Sequence, residues 1–228
     1  MKRSVFDALV RARREKRPVV LFTPTHGGPE VLWSPGDPPL DAARAAAATR
    51  ALATDDAFLL EETVVFVQPH NPPLRLVLVG AVHIAEALAA LASIAGYEVI
   101  VVDPREAFAK REVFARYHVV NEWPDEAFPS LLVDHRTAVV TLTHDPKVDD
   151  PALQAALGSD AFYIGALGST KTHGSRLRRL AAHGFDEAQL ARIHGPVGLR
   201  IGGRTPAEVA ISILAQMTER LRLGPAKA

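Results

Sequence analysis

The stretch LRLVLVGAVHIAEALAALASIAGYEVIVVD, residues 74–103, decides the fold. Five of its first six residues, all but Arg75, are apolar and branched over a length that suits a strand buried on both faces. Gly80 interrupts the run. Ile84, Leu88, Leu91 and Ile94 then recur at three- and four-residue spacing, which predicts a helix with one apolar stripe, and Gly96 is placed to end it. Residues 97–102 (YEVIVV) form the next strand. Two such strands joined through a helix make a βαβ unit, and that unit demands a parallel sheet.

Working outward, further strands are expected at 118–120, 137–143 and 161–164, separated by helical patterns. One helix covers Thr172 to Ala182, with Leu177 and Leu180 inward, Arg176, Arg178 and Arg179 outward, and Gly184 as its stop. The last opens at Thr205-Pro206-Ala207-Glu208, a capping box with proline at the first helical position, and runs to about Leu221. Residues 71–228 thus predict an α/β, Rossmann-like, mostly parallel sheet with helices on both faces. Upstream, a helix (Val5–Glu15), an apolar run (Pro18–Phe22), a short strand (Val31–Trp33), an alanine-rich helix (Asp41–Ala53) and a strand (Phe58–Val67) make a small α+β domain over 1–70. The first strand is set off by a loop crowded with proline and glycine. Gln68 to Pro73 reads as a stiff linker, and the tail Gly224 to Ala228 as unstructured.

Across 228 residues, 26 basic and 26 acidic side chains balance, so no net field draws the chain to nucleic acid or an anionic membrane. Cysteine is absent, which excludes disulfides, thiolate metal sites, iron–sulfur clusters and a cysteine nucleophile. No apolar stretch approaches the roughly 18 residues of a membrane span. Met1-Lys2-Arg3 is not followed by the apolar region of a secretory signal, so a cytoplasmic protein is expected.

Gly80-Ala81-Val82-His83-Ile84-Ala85 occupies the position of a G-x-G-x-x-G/A phosphate turn, and Asp103 ends the next strand at the spacing of a ribose-binding acid. Val82 replaces the glycine whose missing side chain lets pyrophosphate approach, which disfavours NAD(P). The turn then serves packing, or its helix N-terminus receives another phosphate.

In a parallel sheet, ligands sit beyond the strand carboxyl ends. Polar groups expected there are His83; Asp103 and Arg105; His144 and Asp145; and Gly165, Gly168 and Ser169, followed by Lys171, His173 and Arg176. His144 and Asp145, with Asp149 and Asp150, suit an acid–base pair or a hard cation. Asp149-Asp150-Pro151 equally suits a helix start. The second glycine turn suits an anion, or answers geometry alone. A compact loop carrying His194 leads to Arg204 and the last helix.

Five segments, 76–91 (LVLVGAVHIAEALAAL), 101–108 (VVDPREAF), 138–153 (AVVTLTHDPKVDDPAL), 163–180 (YIGALGSTKTHGSRLRRL) and 192–213 (RIHGPVGLRIGGRTPAEVAISI), resemble in order the C-terminal domain of the XdhC/CoxI family. These are accessory proteins of molybdenum hydroxylases such as xanthine dehydrogenase and carbon monoxide dehydrogenase. The resemblance implies a dimeric factor that binds molybdenum cofactor, helps a sulfurase modify it and passes it to an apoenzyme, with no need for catalysis. Gly80, His83, Asp103, Arg105, His144, Asp145, Gly165, Gly168, Ser169, His173, His194 and Arg204 would line the crevice. Two departures stand out. The family's G-A-G-H-V turn is Gly80-Ala81-Val82-His83-Ile84 here, and the region corresponding to its N-terminal G-G-C-V-E segment is short, proline-rich and free of cysteine, with only a vague echo between Ser34 and Ala48. Two other functions fit the residues: a nucleotide-dependent oxidoreductase with a distorted turn, and a ligand-free module that docks a molybdoenzyme.

Overall fold

The computed structural model describes residues 1–61 and 63–224; of the expected tail, 225–228 lie outside them. The chain divides into two compact units, Met1–Pro72 and Pro73–Ala228.

The first unit contains α1 (Arg3–Arg14), β1 (Val19–Pro24), β2 (Val31–Trp33), α2 (Ala42–Thr54), β3 (Phe58–Leu60) and β4 (Val65–His70). Its strands form an antiparallel sheet in the order β2-β1-β4-β3. Val20, Phe22, Val65 and Val67 bury one face against Ala47, Ala48 and Ala51 of α2, while Leu9 and Ala12 of α1 pack with Val19. The expected strand 58–67 is two strands, broken where Val64 takes a φ of 51°. Residues 68–70 are not linker but strand, with Pro69 paired to Val20. Pro69 lies past the end of β3, where β4 has a free side, the setting in which a strand tolerates a residue with no N–H.

The second unit runs β5 (Arg75–Val79), α3 (His83–Ile94), β6 (Glu98–Val102), α4 (Glu106–Ala109), a 3-10 turn (Glu112–Phe114), β7 (His118–Val120), α5 (Pro124–Leu131), β8 (Thr137–Thr141), α6 (Pro146–Leu157), β9 (Tyr163–Ala166), α7 (Thr170–Ala182), α8 (Glu187–Leu190), β10 (Ile193–His194) and α9 (Pro206–Leu223). Among the described residues the sheet has six strands, all parallel, in the order β10-β9-β8-β5-β6-β7. β10 is absent from the expected strands, because two residues carry no periodic signal.

Strand alternation sorts the core into two layers. Leu76, Leu78, Val99, Val101, Ala138 and Val140 face α3 and α9, meeting Leu88, Ile213 and Met217. Val77, Val79, Ile100, Val102, Val139 and Ile164 face α5, α6 and α7, meeting Phe128, Leu153 and Leu180. Each fully buried branched side chain contributes about 1.5–3 kcal/mol. The stripe on α3 is rotated from the expected one: Ala85, Leu88, Ala89 and Ala92 are buried, whereas Ile94 is 85% exposed. Alanine lets the helix lie close to the strands, and the bulkier isoleucine falls outside.

Candidate functional site

The chain order reverses between β5 and β8, so the topological switch point of the sheet lies at their carboxyl ends. At β5 the chain leaves through Gly80, whose φ of +106° and whose closeness to Thr143 both require glycine: a Cβ there would stand 2.5 Å from Thr143 Cγ2. The next N–H, of Ala81, donates to Asp103 Oδ2 at 2.7 Å. Asp103 is fully buried. Its Oδ1 accepts from the backbone N–H and Nε of Arg105, both at 2.9 Å, and its Oδ2 also accepts from Arg105 Nη2 at 2.8 Å. Burial pushes this carboxyl up, but the guanidinium and the two backbone N–H groups outweigh it and hold the group below the ordinary carboxylate range. Four donors fill the lone-pair sites of a carboxylate. Asp103 therefore latches the first turn to Arg105 and keeps nothing for a ribose hydroxyl. Val82, half-buried, precedes α3 without a side-chain cap, and His83 is exposed.

At β8 the chain leaves through Leu142, Thr143 and His144. His144 is exposed and left-handed, with a φ of 63°. Asp145, not Asp149, caps α6, accepting from Lys147 N–H at 2.9 Å. Asp149 and Asp150 sit one turn in and buried, and their role in the fold is pairing rather than capping. Asp150 binds Arg179 through Nε at 2.6 Å and Nη2 at 3.0 Å. Asp149, 1% exposed, accepts from the Thr143 hydroxyl at 2.7 Å and lies 3.5 Å from Arg176 Nη2.

Arg176 was expected to face outward with Arg178 and Arg179, and it is 1% exposed. Its Nη2 donates to the Leu167 carbonyl at 2.9 Å, while Nε and Nη1 are buried without a partner among the described residues. Burial dominates both members of this pair: it raises Asp149, with Thr143 and Arg176 offsetting only part, and lowers Arg176, with Asp149 and Asp150 offsetting only part. His173, Arg176 and Leu180 recur at three- and four-residue spacing, the one sequence signal that marks Arg176 as inward.

Over Arg176 lies the second glycine turn. Gly168 has a φ of +147°, and Ser169 caps α7 through Thr172 N–H at 3.1 Å. Gly165 is elsewhere, inside β9, where a Cβ would meet Val197 and Tyr163; packing accounts for it. His173 packs on Gly195, with Nδ1 buried and unpartnered, and burial lowers its pKa. His194 stacks on Tyr163 at 4.8 Å, also lowered by burial, on the sheet face that α9 covers. Arg204 is exposed at the mouth of α9, its N–H donating to Glu208. The strand ends thus gather Gly80, Asp103, Arg105, His144, Asp145, Gly168 and Ser169 with Thr143, Asp149 and Arg176. Arg105 feels the charges of both Asp145 and Asp149. His194 and Gly165 belong to the packing around Tyr163. Among the described residues, no group of three or more His, Asp or Glu side chains is placed to hold a metal ion, and no helix is long and apolar enough to cross a membrane.

A parallel doubly wound sheet with its polar groups at the switch point defines a Rossmann-type domain. Residues 76–217 match the family described as the XdhC Rossmann domain, and the chain belongs to that family. Among curated proteins it is similar to the molybdenum cofactor insertion chaperone PaoD of Escherichia coli K12, 34% identical over 147 residues that make up 64% of this chain and 40% of PaoD. It is also similar to a probable xanthine dehydrogenase subunit of Bacillus subtilis 168, 29% identical over 70% of this chain and 46% of that one. The chain spans less than half the length of these relatives. A solved structure described as a xanthine dehydrogenase from Bacillus halodurans superposes with a TM-score of 0.72, covering 98% of this chain and 66% of that one at 22% identity, which is a likeness of fold.

Proposed function

We propose that the chain is a maturation factor for a molybdenum hydroxylase of the xanthine dehydrogenase type, receiving molybdenum cofactor as cargo at the strand-end cluster and delivering it to the apoenzyme. The observation that carries this reading is Arg176: a buried cation with two idle donors, under a helix N-terminus, in the domain shared with a protein named as an insertion chaperone. The donor set fits the cargo. The cofactor supplies a phosphate and a pterin whose edge both donates and accepts, and the exposed His83, His144, Asp145 and Arg204 are groups of complementary chemistry. Gly80, Asp103 and Arg105 shape the opposite wall, with Gly168, Ser169 and His173 at the phosphate end. Gly165 and His194 support the scaffold from beneath.

With no cysteine in the chain, sulfur transfer to the cofactor falls to a separate sulfurase partner. The protein works in the cytoplasm and as a homodimer. An NAD(P) reading finds no support at the first turn, where Asp103 has taken the Ala81 N–H. The test is purification from cells that make the cofactor, followed by pterin fluorescence, molybdenum analysis and reconstitution of an apo-hydroxylase. Bound pterin with faster reconstitution is the expected result. A pterin-free protein that leaves reconstitution unchanged would sink the proposal.

A further inference from the structure

The opening N–H groups of a helix have no partner inside it. At α7, the Ser169 hydroxyl satisfies one of them, Thr172 N–H at 3.1 Å, while the Ser169 carbonyl accepts the first bond of the helix ladder from His173 N–H at 2.8 Å. Those of Thr170 and Lys171 have no acceptor among the described residues. Beneath the turn, Arg176 Nη1 lies 3.8 Å from the position that a Cβ on Gly168 would take, so the guanidinium is aimed at the underside of the turn through the one residue with no side chain to intervene. A buried guanidinium with Nε and Nη1 unpaired is costly unless negative charge compensates it. Asp149 reaches only Nη2, and at 3.5 Å. The first turn differs in what lies behind it, since the opening N–H groups of α3 are uncapped as well. There the carboxylate of Asp103 lies behind the Ala81 N–H, and Val82 stands at the motif position whose glycine admits a pyrophosphate in a dinucleotide turn.

Resting on the cofactor reading above, we propose that the head of α7 binds one terminal phosphomonoester, and that the domain discriminates against ligands whose phosphates are bridged in a dinucleotide. The oxygens of such a phosphate accept from the N–H groups of Thr170 and Lys171, with Ser169 and Thr172 hydroxyls beside them and the Arg176 charge below. A phosphomonoester concentrates close to two negative charges on one phosphorus at neutral pH, whereas a dinucleotide pyrophosphate spreads its charge over two bridged phosphates with a nucleoside on either side. The first turn, where a dinucleotide fold seats its pyrophosphate, has Val82 in place of the glycine and the Asp103 carboxylate behind it.

The experiment is calorimetric titration of the full chain with 6-hydroxymethylpterin monophosphate, AMP, inorganic phosphate and NAD. The phosphomonoesters are expected to bind about tenfold or more tightly than NAD. Thr170→Pro removes one N–H at the first helical position, where proline's fixed φ is at home, and should weaken AMP about fivefold with the melting temperature held within about 2 °C. NAD binding as tight as AMP, or AMP binding indifferent to Thr170→Pro, overturns the proposal. Arg176→Met, if it folds, should lower AMP affinity further, and unchanged affinity in a folded variant counts against the site. Tighter pterin phosphate than AMP identifies the pterin as the source of the phosphate. The opposite preference keeps the phosphomonoester site and removes the cofactor reading, whereas bound cofactor in a protein insensitive to Thr170→Pro removes the site and keeps the maturation role.

Discussion

The two glycine turns of the Rossmann unit leave β5 and β9, with β8 between them, and each opens a helix through a glycine at positive φ, +106° at Gly80 and +147° at Gly168. Their surroundings are opposite. Under the first lies a buried acid that has already taken the Ala81 N–H and is closed off by Arg105. Under the second lies a buried arginine with two donors unused. The helix dipole favours an anion at both places, yet a carboxylate behind the turn uses up that preference while a guanidinium adds to it. A glycine pattern therefore shows where the chain turns, and the sign of the charge buried behind the turn shows whether it favours an anion.

Removing the acid disturbs this contrast most. Asp103→Ala leaves the Ala81 N–H and the Arg105 guanidinium facing a site with no acceptor, and should cost about 3–5 kcal/mol in urea denaturation. A loss below about 1 kcal/mol would mean that Arg105 relaxes into solvent and that the latch does not hold the turn. Next come the glycines themselves. Gly80→Ala drives a methyl group into Thr143 at an unfavourable φ and should cost about 2–4 kcal/mol. Gly168→Ala meets the Thr172 side chain at 3.1 Å, which can shift, and should cost about 1–2 kcal/mol. The reverse order would show that the second turn is the more tightly packed of the two.

The same contrast explains what was legible in the sequence. The βαβ unit at 74–103, the Thr205 capping box and the alternation of strands were readable because each has a local period or spacing. β10 was not, since two residues pair through neighbours rather than pattern, and β4 hid behind Pro69, whose tolerance depends on where β3 ends. At the site, Gly80, Asp103 and Arg105 were visible as strand-end residues, but their mutual saturation was not: it is fixed by side-chain geometry across a turn. Arg176 was readable as a cation flanking the second glycine turn, but charge outweighed spacing in judging which face it occupies. Asp149 was readable beside His144 and Asp145, but a carboxylate two residues before a proline looks like a cap until Asp145 is seen to hold that position.

The two buried acids also differ in how protons act on them. Asp103 has its pKa depressed in the fold, so its stabilisation is present above the unfolded value near 3.8 and is lost as pH falls through the folded one. Asp149 has its pKa raised, so the folded state binds the proton more tightly, and its contribution is largest below 3.8 and declines as pH rises through the folded value. Asp103→Asn should therefore cost more at pH 7 than at pH 3.5, and Asp149→Asn, about 1–3 kcal/mol overall, more at pH 3.5 than at pH 7. Urea titrations of both variants beside the wild type across that range check the signs. Parallel slopes would mean that Arg176 holds Asp149 ionised and that the second turn is as well compensated as the first.

The smallest expected effect is at Val82. Glycine is well tolerated at a helix N-cap, so Val82→Gly loses only the packing of a half-buried side chain, about 1 kcal/mol. It restores the glycine spacing of a dinucleotide turn. If a missing glycine were all that closes the first turn, the variant would bind NAD. The Asp103 latch predicts otherwise: the Ala81 N–H stays committed at 2.7 Å, the carboxylate still faces any incoming phosphate, and calorimetry with NAD should give no binding heat for wild type or variant. Pairing Val82→Gly with Asp103→Asn then separates the two obstacles, since NAD binding that emerges only in the double variant locates the block in the charge, and binding in Val82→Gly alone locates it in the side chain.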